Sequence, residues 1–201
     1  MEAGAELVAR ARLICGEQHV ITAPAVLSVF RSDGLRREGP LPLAAILPGG
    51  APEVTSVVAA CVATGMPYAV RGAGTSDRGG ALPVADGVLI VLTRMRRMVA
   101  ASAADDEITV EPGVPPAALG QAVQAARWFE GPDPPIGTVG GHIAETPGIT
   151  NVGGLDVVQP DGRFVRLRAR DPGYDLIGAF PGSRGRAGIA VAITLRALPP
   201  G

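Results

Sequence analysis

The chain contains no lysine, so all 18 of its basic residues are arginine. Among phosphate-binding loops, this absence excludes the Walker A motif, in which a lysine contacts the phosphates. No run of basic residues stands out, and the formal net charge is −1. Because a nucleic-acid-binding protein needs a basic surface, we expect no nucleic-acid partner.

Cysteines and long apolar runs are also scarce. Cys15 and Cys61 are the only cysteines, and neither belongs to a Cys-x-x-Cys motif or a Cys/His cluster. We therefore expect reduced, buried thiols and no metal site. No apolar stretch reaches the length of a membrane span. Since Glu2 and Glu6 lie where a signal peptide would carry positive charge, we expect a cytoplasmic protein.

The residues that are present suffice for a packed core. Hydrophobic residues make up 47% of the chain, and the mean hydropathy is +0.28. The 28 glycines and 19 prolines exceed average usage without the period of collagen, which indicates many tight turns. A length of 201 residues fits one domain, or two small lobes that share a core.

The pattern of apolar residues predicts a helix followed by a β-α-β unit in the first half of the chain. The predicted elements are a helix over 4–18, a strand over 43–47, a helix over 52–64 and strands over 68–70 and 88–92. Residues 71–80, the first glycine loop, follow the strand over 68–70. Open α/β sheets bind ligands at such strand ends.

The second half of the chain predicts mixed elements. They are a strand over 108–110, a helix over 115–127, two strands over 155–159 and 164–168 joined by a Pro-Asp-Gly turn, and a strand over 188–197. Residues 131–154 are dense in glycine and proline and are predicted as a loop. The coarse fold class is α+β.

The first glycine loop holds four glycines in ten residues. Glycine lets a ligand approach the backbone, and successive N–H groups in such a turn form a concave site for an anion such as a pyrophosphate. Thr75 and Ser76 would add hydroxyl donors, and Arg71 a charge. The loop is not a G-x-G-x-x-G motif, because Asp77 stands in the third glycine position. On spacing alone, a surface loop without a ligand is equally well supported.

A second glycine cluster lies at 137–145. Gly140 and Gly141 precede a helix start of small residues and would offer further N–H donors to a phosphate, although a plain helix entry is the commoner cause of this pattern. His142 could hydrogen-bond a cofactor, but a satisfied or solvent-facing histidine is the commoner case. Neither His142 nor His19 has a partner that suggests a triad or a metal site.

Seven motifs, in order, resemble the flavin-binding subunit of bacterial glycolate oxidase and the related D-lactate dehydrogenases. These proteins belong to the vanillyl-alcohol oxidase / p-cresol methylhydroxylase (PCMH-type) superfamily. The motifs are Phe30–Leu35, Leu43–Pro48, Arg71–Thr75 with Gly79–Pro83, Val110–Val114, Pro132–Pro134, Val139–Gly141 with Ala144-Glu145, and the closing segment from 174 to 189. Each is weak alone, but together they cover about residues 25 to 199.

The resemblance implies a two-lobed α+β domain of the PCMH type that spans residues 1–201 and holds FAD between its lobes. The small β-α-β lobe would cover about 25–95 and the larger mixed-sheet lobe about 96–199, with 1–24 as an N-terminal helix and linker. The implied cofactor-binding residues are Arg71, Gly72, Ala73, Gly74, Thr75, Ser76, Gly79, Gly80, Pro132, Asp133, Thr138, Gly140, Gly141, His142, Gly188 and Ile189.

Several positions bear on how FAD would bind. Some relatives tether the flavin covalently through a histidine in the first loop, and because Thr75 stands near that place, we expect non-covalent FAD. A valine at Gly74 is expected to abolish flavin uptake while leaving the fold. Asp77 and Arg78 depart from the family pattern, and the carboxylate would repel a pyrophosphate unless an arginine offsets it. The loop over 146–155 is shorter than in relatives.

The resemblance also implies a function. Relatives oxidise small 2-hydroxy acids such as glycolate or D-lactate, and they continue past the final proline into a cap domain that shapes the substrate pocket. We expect that this chain has no such cap and needs a separate cap or partner subunit for substrate binding, in a hetero-oligomer, and we assign no catalytic residue. The alternative is a truncated or degenerate relative that serves as a partner subunit or has lost FAD.

Overall fold

The computed structural model describes residues 2–102, 106–122, 127–130, 135–169, 171–173 and 175–199. The helices are α1 (Glu2–Cys15), α2 (Pro24–Leu27), α3 (Ala51–Thr64), α4 (Leu119–Ala122) and α5 (Val139–Glu145). The strands are β1 (Val20–Ile21), β2 (Ala45–Ile46), β3 (Tyr68–Arg71), β4 (Val88–Val91), β5 (Met98–Ser102), β6 (Glu107–Val110), β7 (Val152–Val158), β8 (Phe164–Arg168) and β9 (Ile189–Arg196).

The first sheet contains the predicted β-α-β unit. Its strand order is β1-β2-β4-β3, with β4 parallel to both β2 and β3. All four residues of β4 are buried, as expected for an apolar strand that is covered on both faces. α3 has Pro52 in its first turn and ends at Gly65, whose φ of 65° gives the left-handed cap. The predicted helix and its flanking strands are confirmed.

The N-terminal segment is built into this first sheet. α1 packs against α3 and buries Leu7, Ala11 and Cys15 in the same core. β1 then pairs antiparallel with β2, with Val20 opposite Ile46. Where the sequence predicts a helix and a linker over 1–24, the structure therefore has a core helix and an edge strand. A strand of two residues is too short to show a period in the sequence.

The second sheet is antiparallel throughout, with the order β5-β6-β9-β7-β8. β7 and β8 form the predicted hairpin. In its turn, the N–H of Arg163 donates to Asp161 Oδ1 at 3.0 Å, and Gly162 has a φ of 86°. The long strand β9 lies in the middle and, from Val191 onward, buries alternate residues, of which Ile193 and Leu195 belong to the second core.

The two sheets share α3 as a common packing surface. α3 contacts both β7 and β9, and Val158, Ile189 and Val191 belong to the core of the first sheet. The start of β9 therefore lies at the boundary between the two sheets. Gly188, just before it, has a φ of 120°, and a Cβ there would lie 2.6 Å from the Val158 carbonyl oxygen. Only glycine lets the chain enter β9 this close to β7.

Other predicted elements differ in extent. The helix predicted over 115–127 is observed as a 3-10 turn at Pro116–Ala118 followed by α4, while residues 123–126 lie outside the described part of the chain. α5 occupies part of the predicted loop over 131–154. β5 is an alanine-rich edge strand in which Val99 is the only β-branched residue and none is aromatic, so it has little of the composition by which strands are recognised. Across the described ranges, every helix is too short or too polar to cross a bilayer.

Candidate functional site

A cleft with a volume of about 270 Å³ opens where the two sheets meet. Three parts of the chain line it: the loop that follows β3, the α5 segment and the residues that lead into β9. Of the predicted cofactor-binding residues, the structure brings together Gly72, Ala73, Gly74, Thr75, Ser76, Gly80, Thr138, Gly140, Gly141, His142, Gly188 and Ile189 along this cleft. Arg71 and Gly79 lie beside the lining rather than in it, and Pro132 and Asp133 lie outside the described residues.

The first glycine loop lines the cleft and has free backbone donors. Within the described part of the chain, no hydrogen-bond acceptor meets the amide N–H groups of residues 73–77. The side chains of Thr75 and Ser76 line the same wall. A row of free N–H groups beside an open cavity fits the diphosphate of a dinucleotide, because such a row binds an anion without needing a charged side chain.

Arg71 anchors the loop from beneath. Its side chain is 7% exposed, and Nη1 donates to the carbonyl oxygens of Ser32 at 2.9 Å, Ala81 at 3.1 Å and Phe30 at 3.4 Å. Burial lowers the pKa of Arg71, and the nearby carboxylate of Asp33 partly counters this effect. The charge predicted to face a phosphate therefore serves the folding of the loop.

Gly74 lies directly over that guanidinium. Its φ of 75° is in the left-handed region, and a Cβ at this position would collide with Arg71 Nη2 and Cζ. A valine here would displace the anchor of the loop as well as fill the surface of the cleft. The expectation that Gly74→Val leaves the fold intact does not take this contact into account, so the substitution is not a selective test of the cradle.

Asp77 and Arg78 do not close the cleft. The Asp77 side chain is 70% exposed, and its Oδ1 lies 3.8 Å from Arg78 Nε. Both residues contribute to the lining, and the cavity remains open behind them. The arginine thus lies where it offsets the carboxylate charge, as the first loop requires if an anion is to bind there.

The amide groups at the start of α5 are already occupied. The N–H of Val139 donates to Val114 O at 2.8 Å, and that of Gly140 to Pro112 O at 2.9 Å. The N–H of Gly141 donates to Thr138 Oγ1, the N-cap of the helix, at 3.2 Å. The structure therefore has the plain helix entry that the sequence favoured, and the N–H groups of this glycine pair are not free for a phosphate. These glycines still line the cleft, and because they carry no side chain they leave space in it.

Two close contacts join the first loop to the α5 segment. A Cβ at Gly72 would collide with Thr138 Oγ1, and a Cβ at Gly137 would lie 2.5 Å from Thr75 Oγ1. The Thr75 hydroxyl also lies 3.4 Å from the Ile136 carbonyl oxygen. These glycines let two loops from different parts of the chain approach each other and form one continuous wall.

His142 has partners within the protein. Its Nδ1 lies 3.4 Å from Thr146 Oγ1, and its ring meets Phe129 edge-on at 5.0 Å between centroids. Burial lowers the pKa of His142, so the ring is neutral at pH 7. It also lines the cleft, where a neutral imidazole leaves the local charge to the arginines.

The lowered pKa of His142 predicts a pH dependence of stability. Below about pH 6.5 the histidine binds a proton more readily in the unfolded chain than in the folded one. The free energy of unfolding should therefore decrease as the pH is lowered from about 6.5 to the pKa of His142 in the folded protein. His142→Asn should reduce this slope. Urea unfolding of both proteins between about pH 5 and 8 measures it, and identical slopes would contradict the prediction.

Sequence reasoning missed several lining residues. Leu92, Pro112 and Phe180 supply apolar surface, and Glu145 and Arg184 supply charge. Arg184 has a φ of 54° and is exposed, and within the described residues its guanidinium forms no ion pair. The position of Pro112 in the sequence, between the two glycine clusters, could have indicated that it lines the cleft. No local pattern indicates that Phe180 reaches the cleft.

The chain is similar to proteins of known name. A family profile described as "FAD binding domain" matches residues 42–168, more than half of the chain. The glycolate oxidase subunit GlcD of Escherichia coli K12 is 32% identical over 186 residues, which is 85% of this chain and 37% of GlcD. D-lactate dehydrogenase of Anaerostipes hadrus is 31% identical over 168 residues, covering 73% of this chain and 34% of the relative.

Solved structures share the fold at low sequence identity. p-Cresol methylhydroxylase superposes with a TM-score of 0.80 at 19% identity, over 99% of this chain and 44% of the enzyme. Alkyldihydroxyacetonephosphate synthase gives a TM-score of 0.83 at 16% identity, over 96% and 40%. The chain thus spans about two fifths of the length of the proteins it matches.

The cleft, the profile and the fold agree on one cofactor. Residues of the first glycine loop whose amide groups are free line the cleft, and that loop contains neither histidine nor cysteine that could tether a flavin. The cofactor is therefore FAD, held without a covalent bond at this loop. The chain belongs to the family of FAD-binding domains, with the fold seen in p-cresol methylhydroxylase.

Proposed function

We propose that this chain is the FAD-holding part of an oxidoreductase that acts on a small 2-hydroxy acid of the glycolate or D-lactate type. The single observation that carries the proposal is the row of residues 73–77, which line an open cleft and whose N–H groups are free. The similarity to GlcD and to D-lactate dehydrogenase supplies the substrate class. FAD, when bound, supplies the chemistry by accepting a hydride or its equivalent.

The residues of this chain bind and shield the cofactor. Residues 73–77 would hold the diphosphate through backbone N–H groups, with Arg71 fixing the loop from beneath. Ala144, Gly188 and Ile189 line the wall formed by α5 and β9, where small and apolar groups exclude water. The exposed guanidinium of Arg184, which also lines the cleft, would favour the negatively charged diphosphate of the dinucleotide.

The substrate pocket would be completed by protein outside this chain's 201 residues. The chain covers 37% of GlcD, which is named as a subunit of glycolate oxidase. We propose that a cap or a partner subunit supplies the substrate-binding side chains, in a hetero-oligomer located in the cytoplasm. This division leaves cofactor binding to the chain described here, and it makes substrate oxidation depend on the second part.

The test is a titration of the purified chain with FAD, followed by absorbance and by quenching of flavin fluorescence. We expect saturable binding of one FAD per chain, with an affinity that falls as salt is raised. A panel of glycolate, D-lactate and D-2-hydroxyglutarate should then bleach the flavin band only when the partner is present. FAD binding with no bleaching under any condition would favour a non-catalytic relative, and absence of FAD binding would refute the proposal.

A further inference from the structure

The first glycine loop has little to hold it in shape from within. The N–H groups of residues 73–77 have no acceptor among the described residues, so neither a helix nor a sheet ladder fixes these peptide units. A binding loop that samples many shapes binds its ligand weakly, because the ligand must offset the cost of ordering the loop. The structure that orders this loop must therefore lie next to it.

The neighbouring structure is the turn over residues 31–39, which we call the clamp turn. An isolated bridge pairs Ser32 with Glu38, and the N–H of Gly39 donates to Arg31 O at 2.7 Å. The clamp turn meets the first glycine loop directly, since the N–H of Gly34 donates to Ser76 O at 2.9 Å. A Cβ at Gly34 would collide with the Thr75 carbonyl oxygen, so the two backbones are in contact.

Asp33 organises the clamp turn from a buried position. Its side chain has no exposed surface. Oδ1 accepts the N–H groups of Leu35 and Arg37, both at 3.0 Å, and Oδ2 accepts Arg37 Nε at 2.8 Å and Nη2 at 2.6 Å. Burial would raise the pKa of Asp33, but the bonds from Arg37 and Leu35 outweigh it and lower that pKa below its usual value.

Arg37 links Asp33 to the first glycine loop. While Nε is held by Asp33, Nη2 also donates to the Asp77 carbonyl oxygen. The carbonyl groups of Ser76 and Asp77 are thus both turned toward the clamp turn. Because the N–H and C=O groups of one peptide unit point in opposite directions, fixing the Ser76 carbonyl directs the N–H of Asp77 away from the clamp turn. The next N–H, that of Arg78, donates to Ser76 Oγ at 3.0 Å and holds the same stretch in one shape.

We propose that Asp33 is a positioning residue for FAD binding: through Arg37 it holds residues 75–77 in the shape that receives the diphosphate. Asp33 does not line the cleft, so it acts only by preorganisation. This inference rests on the proposed function, because it needs FAD to bind at the first glycine loop. It predicts that loss of the Asp33–Arg37 pair reduces the fraction of molecules ready to bind.

Two single variants test the pair from its two ends. Asp33→Asn keeps an oxygen for the N–H groups of Leu35 and Arg37, but places a donor against the guanidinium. Arg37→Met removes the bridge to Asp77 from a side chain that is 47% exposed, so this variant should fold even if the first does not. The matched control is Asp161→Asn, which breaks the same arrangement with Arg163 in the hairpin turn between β7 and β8.

Stopped-flow mixing with FAD, at a temperature where every variant is folded, is the measurement. A smaller competent fraction lowers the association rate and leaves dissociation unchanged, so both variants should associate about tenfold more slowly with dissociation within about twofold. The double variant should be no worse than either single one, because both break the same link. Asp161→Asn should match the wild type.

The outcomes separate the positioning role of Asp33 from FAD binding itself. Wild-type association rates in both Asp33→Asn and Arg37→Met overturn the positioning role while FAD binding stands. A loss that comes from faster dissociation also overturns it, because that pattern indicates a lost direct contact. If the wild-type chain itself does not bind FAD, the proposed function fails and this inference fails with it.

Discussion

Gly72→Ala is expected to weaken FAD binding by roughly ten- to hundredfold. The added Cβ would collide with Thr138 Oγ1, which caps α5 by accepting the Gly141 N–H. Overpacking of this kind costs about 1–3 kcal/mol, which corresponds to the stated range in affinity. The first glycine loop can relieve the collision by moving away from α5, and that movement opens the wall of the cleft. FAD titration of the purified variant measures the effect.

The collision has a built-in rescue. Thr138→Ala alone removes the N-cap and should lower the free energy of unfolding by about 1 kcal/mol. It also removes the oxygen that the new Cβ meets, so the double variant Gly72→Ala/Thr138→Ala should bind FAD more tightly than Gly72→Ala. Gly120→Ala is the control, since a Cβ there meets nothing within 4 Å. If the double variant binds no better than the single one, the contact between the two segments is not the cause.

The local parts of the fold could be predicted from the sequence. The helix from Pro52 to Gly65, the strand over 88–92 and the β7–β8 hairpin each carry their signal within a few residues: a capped amphipathic run, an apolar run and a Pro-Asp-Gly turn. β1 was missed because it has only two residues and pairs with β2, a distant segment. Pairing with a distant segment leaves no pattern in the residues of the strand itself. β5 pairs with β6, the next strand along the chain, and was missed because it is rich in alanine.

The sequence indicated where the candidate site lies, but not what each of its residues does. Spacing shows that 71–80 is rich in glycine, and a glycine facing a ligand looks the same in sequence as one facing a neighbour. Gly74 is needed because Arg71 lies under it, and Arg71 is engaged with carbonyl groups. The role of Asp33 depends on the contact between Arg37 and Asp77, which are 40 residues apart in the sequence. No local pattern reveals such a contact.

Gly140→Ala and Gly141→Ala are expected to differ although the residues are adjacent. A Cβ at Gly140 would lie 2.6 Å from Pro112 Cβ and 3.0 Å from Pro112 O, whereas one at Gly141 meets only Thr138 Oγ1, at 3.1 Å. Overpacking against Pro112 should cost about 1–3 kcal/mol. Alanine in place of glycine inside a helix stabilises the fold by about 0.5–1 kcal/mol at either position. The free energy of unfolding should therefore fall in Gly140→Ala and change little in Gly141→Ala.

The comparison is made on the protein without FAD, by urea unfolding, because the packing argument does not involve the cofactor. A lowered midpoint for Gly140→Ala at an unchanged slope would show that Gly140 is there to let α5 approach Pro112. The opposite pattern, wild-type stability together with lost FAD binding, would restore the view that this glycine pair donates to a phosphate. Since the Gly140 N–H already donates to Pro112 O at 2.9 Å, the structure favours the first outcome.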